Sequence, residues 1–380
     1  MSKNPTVSRW WRGGLAAVGL IVVLPSGRGA DYPLAPAPSA PAAEPAVAYV
    51  PPENPSELLR LDEPMRRYFR ARLSRHASGY DRLCALVDSI IQPDGLAFAY
   101  DGNGTYDARE TFRRRRGNCA SFAFLVVAVA REFDIDASFQ NVERATRWNR
   151  VGDMVVAVLH LDVKVSSQGR NYIIDLEPGL IPPRDSSDVR LIRDERAFAQ
   201  FYCNIGFDEL VRGDADRALH YMARATEIDP SCATAWANRA TLLSRLGDLA
   251  TARKCFERSL RADSRGEAAL DGFVSLLRQL GTPADLQQAD KLERRARAIR
   301  ERNPYYQQQL AAQAQEQGDL ARAEKHLRRA ISLKDDEPEF YAQRLAVLEQ
   351  LGRSDDARRV ARQLENVRTR LMNMPEQIVP

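Results

Sequence analysis

The chain has 380 residues, 44% hydrophobic and 28% charged, an ordinary balance for two or three packed domains. Fifty-five Lys and Arg against 51 Asp and Glu leave a net charge of +4, too mild to imply a nucleic-acid partner, and a single membrane-like run excludes a polytopic membrane protein. Five cysteines without a CxxC pair and four scattered histidines exclude a disulfide scaffold, a zinc ribbon or a visible metal cluster, and no cofactor is called for.

Residues 1–30 read as a signal peptide or an N-terminal anchor. Lys3, Arg9 and Arg12 precede the apolar run Gly13–Leu24, which is shorter than the roughly 20 residues of a comfortable span. Small residues after Pro25 suit cleavage, although Arg28 interrupts the pattern. The alternative is an uncleaved membrane tether through residues 13–24. Both readings place the protein outside the cytoplasm, in the periplasm or another extracytoplasmic space. Residues 31–54 are Pro/Ala-rich and lack any helical or strand period, so an extended, semi-rigid and inert linker is expected.

Residues 55–195 mix periods. Helices are expected over 56–76, 79–91 and 119–133, the last one buried. Strand-like runs cover 137–143, 154–165 and 171–178. The last two flank Ser166-Ser167-Gln168-Gly169, which predicts an antiparallel hairpin. Asp101–Asp107, "DGNGTYD", faintly resembles a calcium loop but lacks the 12-residue pattern, and it reads as a turn.

Residues 196–370 are repetitive, with a short tail over 371–380. Gly213 to Gly247 is 34 residues, and so is Gly318 to Gly352. Each glycine is followed by an amphipathic helix with small residues at fixed places: Ala218 and Ala225, Ala252 and Ser259, Ala323 and Ala330, Ala357 and Leu364. Small side chains there let paired helices approach closely. Trp236 and Tyr341 fill a bulky position in the preceding helix. A unit lengthened in its second helix begins at Gly281. A 34-residue helix–turn–helix period of this kind resembles the tetratricopeptide repeat. About five units are enough to bury a continuous core, and their concave face is expected to take a protein or peptide partner.

Cys119 follows the Gly117-Asn118 turn and opens the buried helix. Free N–H groups and the helix dipole favour a thiolate there, and Arg113–Arg116 push the same way. A small buried hydrophobe or half of a structural disulfide are the plain alternatives. His160 lies in the first strand of the predicted hairpin, and Asp175 lies at the end of the returning strand, which makes them cross-strand neighbours. A carboxylate orienting an imidazole that activates a thiol is the logic of nucleophilic acyl transfer. The Arg113–Arg116 run reads either as a contact for an anionic cell-envelope polymer or as a solvated face. Cys84, Cys203, Cys232 and Cys255 fall in helical patterns as inert thiols, and His220 and His326 read as surface residues.

Gly-x-Cys opening a buried helix, then His on a strand, then Asp 15 residues later, resembles the transglutaminase-like superfamily, whose core is related to papain-type cysteine peptidases. The likeness spans roughly residues 80–180. It implies an α+β transglutaminase-like (papain-like) domain, with Cys119 as nucleophile, His160 as general base and acid, and Asp175 as orienter. The family's second oxyanion donor has no clear counterpart here; Tyr106 is a candidate for it and for lining the substrate groove, and Trp148 reads either as a groove-lining residue or as a packed aromatic flanking the hairpin. An all-α tetratricopeptide-repeat solenoid would follow. The implied protein is an exported cysteine hydrolase or acyltransferase acting on amide bonds through a thioester, its repeats recruiting a partner or substrate. The alternative is a catalytically inactive scaffold of the cell envelope that binds proteins through its repeats.

Overall fold

The computed structural model describes residues 21–24, 49–73, 79–102, 104–151, 154–167, 169–176, 189–302, 304–335 and 337–372; the side chains at 21–24, 142–160 and 370–372 lie outside that description. Most of the expected export segment and linker, and all but the first two residues of the C-terminal tail, also lie outside the described residues.

The first half carries the sheet. Strand β1 is Ile21–Leu24, followed by a 3-10 turn at Pro55–Leu59, helices α1 (Glu63–Arg72) and α2 (Gly79–Ile91), and the two-residue strand β2 (Ala99–Tyr100). Then come α3 (Ala108–Arg114), β3 (Arg116–Gly117), α4 (Cys119–Glu132), β4 (Asp136–Val151), β5 (Met154–Ser167), β6 (Arg170–Ile174) and β7 (Val189–Leu191). The expected single helix over 56–76 is instead two elements. Asp62 caps a fresh start, its carboxylate accepting the Met65 N–H at 3.1 Å, and Pro64 sits in the first turn, where its missing donor does no harm.

Helix α4 is buried on every side from Cys119 to Ala130, as a helix apolar all round must be. It lies on an antiparallel sheet in which β5 pairs with β4 on one edge and with β6 and β1 on the other. Alternation puts Leu161, Val163 and Val165 of β5 into the same core as Ala137 and Phe139 of β4 and Tyr172 and Ile174 of β6. The β5–β6 hairpin forms as the turn chemistry predicts, with Gly169 at φ +75°. β4 runs well past the expected 143, and its register with β5 shifts between Val142 and Arg147.

Ten helices follow among the described residues: α5 (Asp194–Val211), α6 (Ala215–Ile228), α7 (Ala233–Arg245), α8 (Leu249–Ala262), α9 (Glu267–Leu280), α10 (Pro283–Arg300), α11 (Pro304–Glu316), α12 (Leu320–Leu333), α13 (Pro338–Gln350) and α14 (Ser354–Met372). They pack as consecutive antiparallel pairs. The glycine after each first helix is left-handed, from +69° at Gly352 to +89° at Gly213. An added Cβ at Gly213 would meet nothing, so its requirement is conformational. Gly213→Ala is therefore expected to cost about 1 kcal/mol, read from a urea midpoint; an unchanged midpoint would show that the turn relaxes freely. Asp214, Asp248 and Asp319 cap the second helices, each accepting an N–H three residues on at 3.0 Å. The small positions Ala218, Ala225, Ala252, Ser259, Ala323 and Ala330 are all buried.

The lengthened unit is α10, with 18 residues against 14 in α6, α8 and α12. Its buried alanines are Ala289 and Ala296. Elsewhere the first alanine follows the repeat glycine by five residues; here it follows Gly281 by eight, so the extra residues lie at the start of α10.

One apolar core runs from Leu58 through α4 and the sheet into α5, α6 and the start of α7. The last part of the expected linker is not an inert spacer. The Tyr202 hydroxyl donates to the Pro52 carbonyl, Arg224 donates to the Glu53 carbonyl at 3.1 Å, and Tyr49 packs edge-on against Tyr106 at 5.5 Å. Arg196 of α5 binds Asp229 after α6, holding its carboxyl low despite a burial that pushes the other way.

Candidate functional site

The N-terminal turn of α4 gathers most of the residues singled out in the sequence. Asn118 is its N-cap, with Oδ1 accepting the Ser121 N–H at 3.0 Å. Cys119 is the first helical residue and is buried, at 2% exposure. The 101–107 loop lies across this turn. The short parallel β2–β3 ladder, which pairs Tyr100 with Gly117, starts the loop beside it. The Gly104 carbonyl accepts from the Asn118 N–H and from the Ser121 hydroxyl, each at 2.9 Å. The Ser121 oxygen in turn accepts the Tyr106 N–H at 2.8 Å, and Asn118 Nδ2 donates to the Thr105 hydroxyl at 2.8 Å. The backbone donor of Tyr106 is thus engaged by Ser121.

Gly117 permits the closeness of this packing. A Cβ there would lie 2.5 Å from Ser121 Cβ, inside a fully buried cluster. Gly117→Ala is expected to destabilise the chain by about 1–3 kcal/mol through overpacking, measured by thermal or urea unfolding; a variant as stable as the parent would show that the loop gives way.

Of the other site residues named from sequence, His160 lies in β5 opposite Val142, and Trp148 lies in β4 opposite Ala157; neither side chain is among those described. Asp175 follows β6 directly and is half-buried. The hairpin puts the strands of His160 and Asp175 side by side. Continuing the register from the Val163–Ile174 pair, the residue level with Asp175 is Asp162, two positions from His160, which makes His160 and Asp175 diagonal rather than direct partners. The Tyr106 ring is half-buried between Tyr49 and the Arg114 guanidinium, and burial raises its phenol above the ordinary value. Trp148 and Tyr106 sit on different elements, a strand and the loop before α3.

The arginine run is largely paired within the chain. Arg113 reaches Asp62 at 3.1 Å, Arg114 reaches Glu110 at 2.6 Å, and Arg116 holds Asp101 through two hydrogen bonds. This fits the solvated-face reading better than a polymer-binding patch. Among the remaining cysteines, Cys203, Cys232 and Cys255 are buried thiols pushed upward by that burial, while Cys84 is half-buried. His220 is exposed as expected, but His326 is half-buried and bonds Gln307 at 2.8 Å. Among the described residues there is no His/Cys/Asp/Glu group that could hold a metal ion, and no helix long and apolar enough to cross a membrane.

Sequence reasoning passed over Asp208 of α5. Burial pushes its carboxyl up to about 7, with Arg212 and Thr105 opposing the shift. The signal was legible: Asp208-Glu209 places two acids in the last turn of α5, where the dipole disfavours them.

A tetratricopeptide-repeat profile matches residues 205–267, and with the paired helices and 34-residue period it makes the C-terminal region a tetratricopeptide-repeat array. A 65-residue stretch is 37% identical to the uncharacterized protein MJ0572 of Methanocaldococcus jannaschii, covering 17% of this chain and 76% of that protein; over that stretch the chain belongs to the family of MJ0572. Similar solved structures include PilF of Pseudomonas aeruginosa, 19% identical over 46% of this chain and 78% of that one, TM-score 0.27. TTC0263, a tetratricopeptide-repeat protein of Thermus thermophilus, is 23% identical over 46% of this chain and 97% of that one, TM-score 0.25. Likenesses of this size speak to neither partner nor activity.

Proposed function

We propose that this chain is a protein-interaction scaffold whose tetratricopeptide-repeat array binds a protein or peptide partner. The observation that carries the reading is the array itself: ten consecutive paired helices with the repeat glycines left-handed and the profile match inside them. Repeats of this class generally bind protein or peptide partners, and stacked helix pairs offer an extended surface for it. The sheet-bearing half then serves as a fixed base, because α5 is built into its core. Export, with a membrane tether through residues 13–24 or a cleaved signal, remains part of this proposal and rests on the sequence pattern alone; the pairing of Ile21–Leu24 with β5 counts against either fate for those four residues.

The test uses the full chain in its source cells, with a photo-crosslinking residue at Leu246 on the array or at Arg170 on β6, both exposed. Crosslinking to a partner from Leu246, undiminished by Cys119→Ala, is the expected result. Capture only from Arg170, or none from array positions, would overturn it.

A second reading is favoured by one observation, that α4 starts at Cys119 on the antiparallel sheet carrying His160, with Asp175 at the end of the next strand. That arrangement supports thiol acyl transfer by a transglutaminase-like domain, with Cys119 as nucleophile, His160 as base and Asp175 as orienter. Against it stands the closure of Cys119 under the 101–107 loop. Loss of the physiological role in Cys119→Ala, with the partner still bound, would favour this reading over the first.

A further inference from the structure

Strand β5 is paired with β4 along one edge and only in part along the other. On that second edge β6 takes Val163–Ser167 and β1 takes Val155–Val158, both antiparallel. Leu159–Leu161 lie between the two, and among the described residues no strand pairs with them on that side. Asp162, level with Asp175, closes the gap. The edge therefore offers seven positions, of which Ile21–Leu24 fill four. Strand β1 also lies against α5, α7 and α9, the first helices of three successive pairs. A strand on this seat thus touches the sheet and the array at once.

We propose that the β5 edge from Val155 to Leu161 is a docking edge for an extended segment of a partner protein, rich in apolar β-branched residues, and that β1 is the chain's own stand-in for that segment. The sequence Ile-Val-Val-Leu shows the chemistry the seat takes. Once β1 leaves, about two N–H and two C=O groups lose their ladder partners, and such an edge is a template for another strand. β1 reaches the seat on a tether. Residues 25–48, 24 in all, separate it from Tyr49, whose hydroxyl accepts the Asp107 N–H at 3.1 Å and fixes the far end. A tether of this kind gives β1 an effective concentration of order 1 mM. The β1 of a second copy has the same four residues without the tether, so it loses the competition. A partner strand that pairs all seven positions gains three that β1 leaves unused. Whether exchange, membrane insertion or cleavage removes β1, the vacated edge is the same. This surface is distinct from a partner held elsewhere along the array, so the two proposals fail independently.

The probe is a labelled peptide of residues Val18–Leu24 with a tri-lysine tail, which in the register of β1 spans Val155–Leu161. It is titrated by fluorescence anisotropy against the full-length wild type and against Val22→Pro/Val23→Pro. Adjacent strand residues point their N–H groups to opposite sides, so the paired prolines remove a β1 ladder donor and leave β5 untouched. The variant is expected to bind at least about tenfold more tightly than the wild type, because the tethered competitor is gone. Val22→Gly/Val23→Gly should shift affinity the same way by less. Hydrogen exchange should show bound probe slowing the peptide covering 154–162, and a probe with prolines at its two central valines should not bind. Equal affinity for wild type and variant, no binding to either, or binding without slowed exchange over 154–162 would overturn the proposal. So would a wild-type dimer, seen by light scattering, that the paired prolines dissolve, since the occupant would then be a second copy. Capture of a partner from Leu246 is unaffected by any of these outcomes.

Discussion

Replacing Phe124 by alanine is expected to lower the stability of the chain by about 4 kcal/mol, and to do so for both halves at once. Phe124 sits at the centre of α4 with no exposure. Its ring lies 4.9 Å from Phe139 of β4 and 5.1 Å from Phe201 of α5, with Phe198 at 6.0 Å. Removing it opens a cavity where helix, sheet and the first repeat meet, and close-packed neighbours refill such a space only in part. Urea unfolding followed by near-ultraviolet dichroism and by helical signal should show one transition moving to lower denaturant in both probes. If the helical signal kept its parent midpoint while the aromatic signal moved, the shared core would not be a cooperative unit.

Asp208→Asn is expected to stabilise the protein at pH 8 by about 2 kcal/mol and to do nothing near pH 4. The direction follows from linkage. The folded carboxyl is raised to about 7 from 3.8, so below about pH 4 both states carry the proton and the group is neutral in its effect. As pH rises through that window, the unfolded chain releases its proton while the folded chain keeps it, and stability falls until about pH 7. Above that it stays low. The gap between 3.8 and about 7 corresponds to an upper limit of about 4 kcal/mol, and the partial exposure of the side chain reduces it. Melting temperatures of the two proteins across this range check the point. A wild type more stable than the variant at pH 8 would reverse the sign.

The repeats were legible because their determinants are local. A left-handed glycine, a following Asp cap and paired alanines recur at fixed spacing, and each can be read without knowing what lies across the molecule. The same holds for the start of α4 at Cys119 and for the β5–β6 hairpin. What escaped notice depends on contacts distant in sequence. Tyr49 and Pro52 look like part of a Pro/Ala tether until the hydroxyls and rings of Tyr106 and Tyr202 are seen to meet them. The 101–107 loop reads as an ordinary turn, yet its backbone satisfies Ser121 and Asn118. The Arg113–Arg116 run reads in sequence as either a polymer contact or a solvated face, and Asp62 and Asp101, from separate segments, favour the second by neutralising much of it. Of the candidate triad, the order of residues along the chain was readable and the register was not: one pleat decides whether Asp162 or His160 stands level with Asp175.

The three additional residues at the start of α10 have a consequence for the array as a whole. At 1.5 Å per residue they carry the helix about 4.5 Å further than its counterparts. Arg253 of α8 secures the extension through Asp285 at 2.7 Å and Gln288 at 3.1 Å, and Leu286 on it is 43% exposed. A perfect array looks the same after a shift by one unit, so an elongated ligand could dock in several frames of nearly equal energy, and units could mispair during folding in the same frames. A single spur destroys that screw symmetry. It supplies a fixed origin from which every other unit is counted, so the frames cease to be equivalent.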